Sequence, residues 1–131
     1  MNGTISLDTN IVIKIFQNAP LADAFLSRFV SFFLPVPVVA ELLYAAKNSS
    51  RQKENLALYN KFIAECSFLN TTRKTADYYS DIRLDLKRKG KPIPENDLWI
   101  AAICMEQNIP IATEDAHFDA ITGLEVVRWN P

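Results

Sequence analysis

Thr4-Ile5-Ser6-Leu7-Asp8-Thr9-Asn10, running on into Ile11-Val12-Ile13-Lys14-Ile15-Phe16-Gln17, is the stretch from which the architecture is read. Thr4 to Leu7 is short, apolar and bounded by polar residues, the pattern of a buried strand. Asp8, Thr9 and Asn10 are residue types whose side-chain oxygens accept hydrogen bonds from the free N–H groups of a helix start. The strand therefore ends at this cluster and a helix follows over Ile11 to Gln17. A strand feeding directly into a helix is the opening of a β–α–β unit, the connection that parallel strands need.

Working outward, the same alternation continues. Pro20 suits the first turn of a second helix, with Leu21, Phe25, Leu26 and Phe29 at helical spacing. Phe32-Phe33-Leu34 reads as a second strand closed by Pro35, and Val38 to Lys47 as a helix ending at the Asn48-Ser49-Ser50 turn. Lys53 to Cys66 places Leu56, Tyr59, Ile63 and Cys66 on one stripe, and Phe68-Leu69 supplies a third strand. Thr72 to Lys89 reads as a long helix with Ala76, Tyr79, Ile82 and Leu86 inward, stopped by Gly90. After the stiff Pro92–Pro94 loop, Leu98 to Met105 is apolar without interruption, a helix buried nearly all round. Ile109 to Thr113 is a strand with Pro110 at its start or at an edge, Glu114 to Ile121 gives short turns, and Leu124 to Trp129 a last strand. The expectation is a single α/β domain over residues 1–131, an α/β sandwich around a short, mainly parallel sheet.

Composition narrows the function. The 131 residues carry 14 Lys+Arg against 15 Asp+Glu and one His, a formal charge of −1, so no uniformly basic coat is available to bind nucleic acid by bulk charge. With 49% hydrophobic residues and eight Phe, the chain is too apolar to be disordered. Two cysteines, Cys66 and Cys104, cannot form a disulfide framework or a thiolate zinc site, and His117 alone excludes His-rich zinc centres. No Ser or Cys stands in a nucleophile elbow. Met1 to Asn10 has no basic signal-peptide start, and Phe29 to Ala40, interrupted by two prolines, falls short of the ~20 residues of a membrane span. A soluble cytoplasmic protein with no membrane association is expected.

Four acids stand out. In open parallel sheets, sites form outside the carboxyl ends of the strands, where strand order reverses. Asp8 and Asp115 follow two such strand ends. Glu41 is the only charge between Arg28 and Lys47, and Asp97 opens the most hydrophobic helix. A carboxylate in apolar surroundings needs a hydrogen-bonded or cationic partner, and converging carboxylates raise one another's pKa unless a cation sits among them. With oxygen ligands plentiful and thiolate and imidazole scarce, Mg²⁺ or Mn²⁺ is the fitting ion, and such an ion can activate water against a phosphodiester. Each acid also has a plainer use: Asp8 and Asp97 as helix caps, Glu41 as a solvated residue near a helix start, Asp115 as one of the loop acids with Glu114 and Asp119. His117 reads as a residue that packs or hydrogen-bonds locally rather than acting as a base.

Taken in order, Leu7-Asp8-Thr9-Asn10, Ala40-Glu41-Leu42, Asn96-Asp97-Leu98-Trp99-Ile100-Ala101-Ala102 and Ala112-Thr113-Glu114-Asp115-Ala116-His117-Phe118 resemble the PIN-domain nucleases, in particular the VapC-type toxins of toxin–antitoxin systems. The resemblance spans nearly the whole chain. It implies a Rossmann-like α/β/α fold and a Mg²⁺- or Mn²⁺-dependent endoribonuclease with Asp8, Glu41, Asp97 and Asp115 as its acidic quartet. Asp8 and Asp97 would be direct metal ligands, Glu41 and Asp115 would complete the site directly or through water, and Thr9, Asn10 and Thr113 would support it. Asp115 is favoured over Glu114 because it keeps the three-residue spacing to Phe118, with Asp119 a further candidate. A homodimer is implied, together with a small antitoxin that blocks the site, giving heterotetramers or larger assemblies.

RNA needs cations as well. Arg83, Lys87, Arg88, Lys89 and Lys91 cluster at the end of the long helix, before Asp97, as a phosphate-contacting rim or simply as cations opposing the helix dipole. Arg51 and Lys53 offer a second rim, while Trp99 is expected to pack in the core. Two other functions compete: a PIN-like RNA- or protein-binding module without catalysis, which the presence of all four acids opposes, and an aspartate-based phosphoryl-transfer domain. The haloacid-dehalogenase form of the latter would want an acid two residues after Asp8, where Asn10 stands.

Overall fold

The computed structural model describes residues 3–130. Strand β1 (Thr4–Leu7) is buried along its whole length and forms the middle of a five-stranded sheet in the order β3-β2-β1-β4-β5. Every pairing is parallel, with Ile5 opposite Phe32 of β2 (Ser31–Pro35) and Leu7 opposite Ala112 of β4 (Ile111–Ala112). β3 (Ser67–Leu69) and β5 (Val126–Val127) are the edges. The chain lays strands outward on one side of β1, then returns to add β4 on the other. The order reverses between β1 and β4, the position beyond whose carboxyl ends open parallel sheets form their ligand crevices.

Helices fill the crossovers as the sequence spacing requires. α1 (Thr9–Gln17) begins directly at the cap-type cluster and buries Ile11, Val12 and Ile15. α2 (Ala19–Leu26) carries its proline in the first turn. α3 (Val36–Lys47) and α4 (Gln52–Glu65) connect β2 to β3. α5 (Arg73–Arg88) and α6 (Glu95–Gln107) connect β3 to β4 and make the most extensive helix–helix contact of the fold. A 3₁₀ turn, Ala116–Ala120, joins β4 to β5. No helix among the described residues is long and apolar enough to cross a membrane.

α6 is the central pillar, with Leu98, Ile100, Ala101, Ala102, Ile103 and Cys104 all buried. Two apolar stripes are shifted from the sequence expectation. In α5 the inward positions are Thr75, Tyr79, Ile82 and Leu86, while Ala76 is exposed. Thr75 is tolerated inside because its hydroxyl donates to Glu106 of α6, which also accepts from Thr72 Oγ1 at 2.6 Å. In α2, Ala22 and Phe25 are buried and Leu21 is 43% exposed. β4 and β5 are shorter than Ile109–Thr113 and Leu124–Trp129, because ladder pairing is confined to two residues in each. Pro110, which has no N–H to give a neighbour, lies just before β4.

The core makes a direct prediction. Ile111→Ala, at a fully buried central position, lowers the unfolding free energy by about 2–5 kcal/mol in urea denaturation. Leu58→Ala, on the 46% exposed side of α4, changes it by no more than about 0.5 kcal/mol.

Candidate active site

Asp8 lies where β1 gives way to α1 and is only 5% exposed. Its carboxylate does two jobs. Oδ1 accepts from the Thr9 N–H at 2.8 Å, capping α1. Oδ2 accepts from the Thr113 hydroxyl at 2.7 Å and from Asn10 Nδ2 at 3.3 Å. Capping and site-building are thus both uses of the same side chain.

Thr113, fully buried just after β4, passes the constraint on. Its Oγ1 accepts the Asp115 N–H at 3.0 Å while donating to Asp8. Asn10 reinforces the arrangement, its Oδ1 accepting the Glu114 N–H at 3.1 Å. Glu114 itself turns outward, and its Oε2 accepts from the Trp129 N–H at 3.2 Å. Of the two neighbouring acids, Asp115 is the one brought beside Asp97, whereas Asp119 points to Arg128.

Asp97 stands in the first turn of α6 but makes no cap bond. Its Oδ2 lies 2.9 Å from His117 Nδ1, and the same nitrogen is 2.9 Å from Asp115 Oδ1. Asp115 Oδ1 also accepts the His117 N–H, which starts the 3₁₀ turn. His117 therefore bridges two acids, a role its local setting in the sequence did not suggest. The clue was its spacing, two residues after Asp115, which lets one carboxylate hold both its backbone and its ring. Glu41 sits in the middle of α3 rather than near its start, half-buried, with Oε1 accepting from Thr9 Oγ1 at 3.1 Å.

The electrostatics follow from burial and crowding. Desolvation pushes the Asp8 carboxyl above the ordinary range; Thr113 and Thr9 oppose that shift, and Asp97 and Asp115 add to it. Glu41 is raised for the same first reason, with Asp8 and Asp97 adding repulsion against the Thr9 hydrogen bond. Asp97 is raised by desolvation and by Asp115, against the hydrogen bond from His117. The His117 imidazole is raised by its hydrogen bond to Asp97 and by the charge of both acids, against a smaller desolvation effect.

Asp97, Asp115 and His117 present ligand atoms within 4.8 Å of one another, and Asp8 lies close enough to feel both acids. The carboxylate oxygens of this group are the donors that a hard divalent ion takes. Neither thiol competes: burial pushes Cys66 up to about 11 and Cys104 up to about 12, so both stay protonated.

The basic cluster is divided by the fold. Arg83 donates to the Tyr79 hydroxyl at 2.7 Å and pairs with Glu95 at 3.7 Å. Lys89 pairs with Asp85 at 2.8 Å and donates to Ala120 O and Thr122. Arg51 pairs with Glu54. Lys87, Arg88 and Lys91 form no ion pair among the described residues, and Lys91 shares a hollow of about 300 Å³ with His117 and Asp119. Trp99, expected in the core, is instead half-buried and stacks on Tyr79 with ring centroids 4.2 Å apart.

The raised acids set the pH dependence of stability. The carboxyls of Asp8, Glu41 and Asp97 are raised above their unfolded values, so between the two pKa values the folded state binds more protons than the unfolded chain. Their contribution is complete below the unfolded carboxylate pKa, about 4, and is lost as pH rises through the higher folded values. In melts with EDTA, Asp8→Asn gains Tm relative to the parent as pH is raised from 4 to 7. A difference between the two proteins that does not change with pH contradicts this account.

The PIN domain profile matches residues 5–124. Ribonuclease VapC2 of Haemophilus influenzae is 31% identical over 128 residues, covering 94% of this chain and 96% of that protein. The tRNA(fMet)-specific endonuclease VapC of Shigella flexneri is 28% identical over 127 residues, covering 95% and 96%. The crystal structure of DNA-bound VapBC from Salmonella typhimurium superposes with a TM-score of 0.88 at 27% identity, covering 97% of this chain and 98% of that one. A parallel sheet with its order reversed at β1, a buried Asp8 at the reversal and matches over almost the whole length agree on one assignment: the chain belongs to the PIN-domain family, in the branch that contains the VapC proteins.

Proposed function

We propose that this protein is a Mg²⁺- or Mn²⁺-dependent endoribonuclease, acting in the cytoplasm as the toxin of a toxin–antitoxin pair and using its 131 residues as one catalytic domain. The observation that carries this reading is the buried Asp8 carboxylate, raised in pKa and within electrostatic reach of Asp97 and Asp115 at the reversal point of the sheet. Three raised acids around one crevice are a costly arrangement for stability alone and a useful one for holding a cation. The names of the relatives, a ribonuclease and a tRNA endonuclease, favour RNA as the substrate. The VapBC complex among the similar structures favours a small protein antitoxin as partner. A homodimer, assembled with antitoxin into heterotetramers or larger species, completes the proposal.

In this reading Asp8 and Asp97 are the direct ion ligands, and Glu41 and Asp115 complete the site directly or through water. A bound divalent ion lowers the pKa of water and offsets charge developing on the phosphodiester. The chain's own part is positioning and proton handling. Thr9, Asn10 and Thr113 hold the acids in place. Glu41, held by Thr9 and carrying a raised pKa, is suited to take a proton from the attacking water. Lys87, Arg88 and Lys91 contact phosphates beside the crevice and position the strand without reading sequence.

Two experiments test this. The purified chain, free of partner, cleaves RNA with Mn²⁺ or Mg²⁺, stops on EDTA and recovers when ion is restored; Asp8→Asn and Asp97→Asn each lower the rate by about 10²-fold or more, the scale of losing one preorganised electrostatic group. No cleavage with either ion, or full cleavage by both variants, overturns the proposal in favour of a non-catalytic binding module. Lys87→Ala and Lys91→Ala raise KM for RNA with kcat unchanged, and each reduces the steepness of the salt dependence by about one phosphate contact. A fall in kcat without a change in salt slope removes them from the RNA rim.

A further inference from the structure

The turn that carries Asp115 is held from a direction the acidic motifs do not include. Arg128, directly after β5, reaches back across the β4–β5 edge. Its Nη1 donates to the backbone carbonyls of Thr113 at 2.9 Å and of Asp115 at 3.1 Å, the two that bracket Glu114. Its Nη2 donates to the Asp119 carboxylate, at the far end of the same turn. One planar guanidinium thus takes three acceptors on a seven-residue segment.

The grip is itself anchored. The Thr113 N–H donates to Val127 O at 3.0 Å and the Trp129 N–H to Glu114 Oε2 at 3.2 Å, so the residues either side of Arg128 also hold the turn. The Trp129 ring stacks on Phe25 of α2 with centroids 4.8 Å apart, and Arg28 Nη1 donates to Asn130 O at 2.9 Å. Movement of the turn would have to break its bonds to Val127, Arg128 and Trp129, which are themselves held against α2 and Arg28.

We infer that Arg128 is a positioning residue of the active site, fixing the backbone turn that presents Asp115 beside Asp97 and His117. It acts on the ion site through the peptide carbonyls of Thr113 and Asp115 and touches no reacting group. The fork geometry matters: an ammonium is a single point of charge and cannot span two carbonyls and a carboxylate in one plane. A phosphate-binding role fits less well, since both terminal nitrogens already have acceptors.

This inference rests on the reading of Asp115 as part of the ion site, and the experiment separates the two. Mn²⁺ binding to the full chain is measured by calorimetry for the parent, Asp115→Asn, Arg128→Ala, Arg128→Lys and the double variant Asp115→Asn/Arg128→Ala, with RNA kinetics alongside. Arg128→Ala is expected to weaken Mn²⁺ binding about tenfold, the lower end for losing a group that orients a ligand. Arg128→Lys recovers part of the loss, kcat falls with KM for RNA unchanged at saturating Mn²⁺, and the double variant binds Mn²⁺ no more weakly than Asp115→Asn alone. Should Arg128→Ala fail to fold, Arg128→Lys decides by the same measurement, with an affinity below the parent's expected. Parental Mn²⁺ affinity in a folded Arg128 variant overturns the inference, as does a rise in KM with Mn²⁺ affinity intact, or an undiminished Arg128 effect in the Asp115→Asn background. Parental Mn²⁺ affinity in Asp115→Asn overturns the reading of Asp115 itself, and the inference with it.

Discussion

The hydrogen bond from the Thr113 hydroxyl to the buried Asp8 carboxylate ties the two strands between which the sheet reverses. Each partner alone is expensive to bury: an ionised carboxylate loses its hydration, and a hydroxyl without an acceptor loses a bond. Paired, they fix the carboxyl end of β1 to that of β4. Asp8 also caps α1 and Thr113 receives the Asp115 N–H, so one contact sets the direction of a helix and the start of a turn. Glu41 joins through Thr9, the residue after Asp8, and Asp97 joins through His117.

Holding these acids together creates a tension that the protein alone only partly relieves. Hydrogen bonds from Thr113, Thr9 and His117 favour the charged forms, yet Asp8, Glu41 and Asp97 remain raised because desolvation dominates. The same balance explains how a chain with a formal charge of −1 suits a polyanion. Acids are gathered at one crevice that a divalent ion can neutralise, while Lys87, Arg88 and Lys91 stay outside it without acidic partners among the described residues. Net charge describes the whole surface; a nuclease needs only its local distribution.

The fold was legible because its deciding signals are local. The apolar run of β1, the cap cluster Asp8–Asn10 and the unbroken apolar run of α6 each reflect burial over consecutive residues. The acids drew attention in two ways, Glu41 and Asp97 as charges in apolar surroundings and Asp8 and Asp115 by their place at strand ends. Less visible were features that depend on polar groups meeting across the chain. The buried Thr75 in place of Ala76 depends on Glu106, 31 residues away, and the bridging of His117 depends on Asp97 arriving from another helix. Arg128 left no trace in any motif, because two of its acceptors are backbone carbonyls, which every residue carries. Strand ends were overestimated where hydropathy continued beyond the reach of a partner strand, as at Leu124–Trp129.

The central claim is that the crevice beyond β1 and β4 is built to hold a divalent ion. Crystals of the isolated chain soaked in Mn²⁺ near pH 7 test it most directly, through the anomalous scattering of the metal. A strong peak is expected within coordination distance of the Asp8 and Asp97 carboxylates. A map without a peak there, or with manganese bound only at other acidic residues such as Glu114 or Asp119, would contradict it.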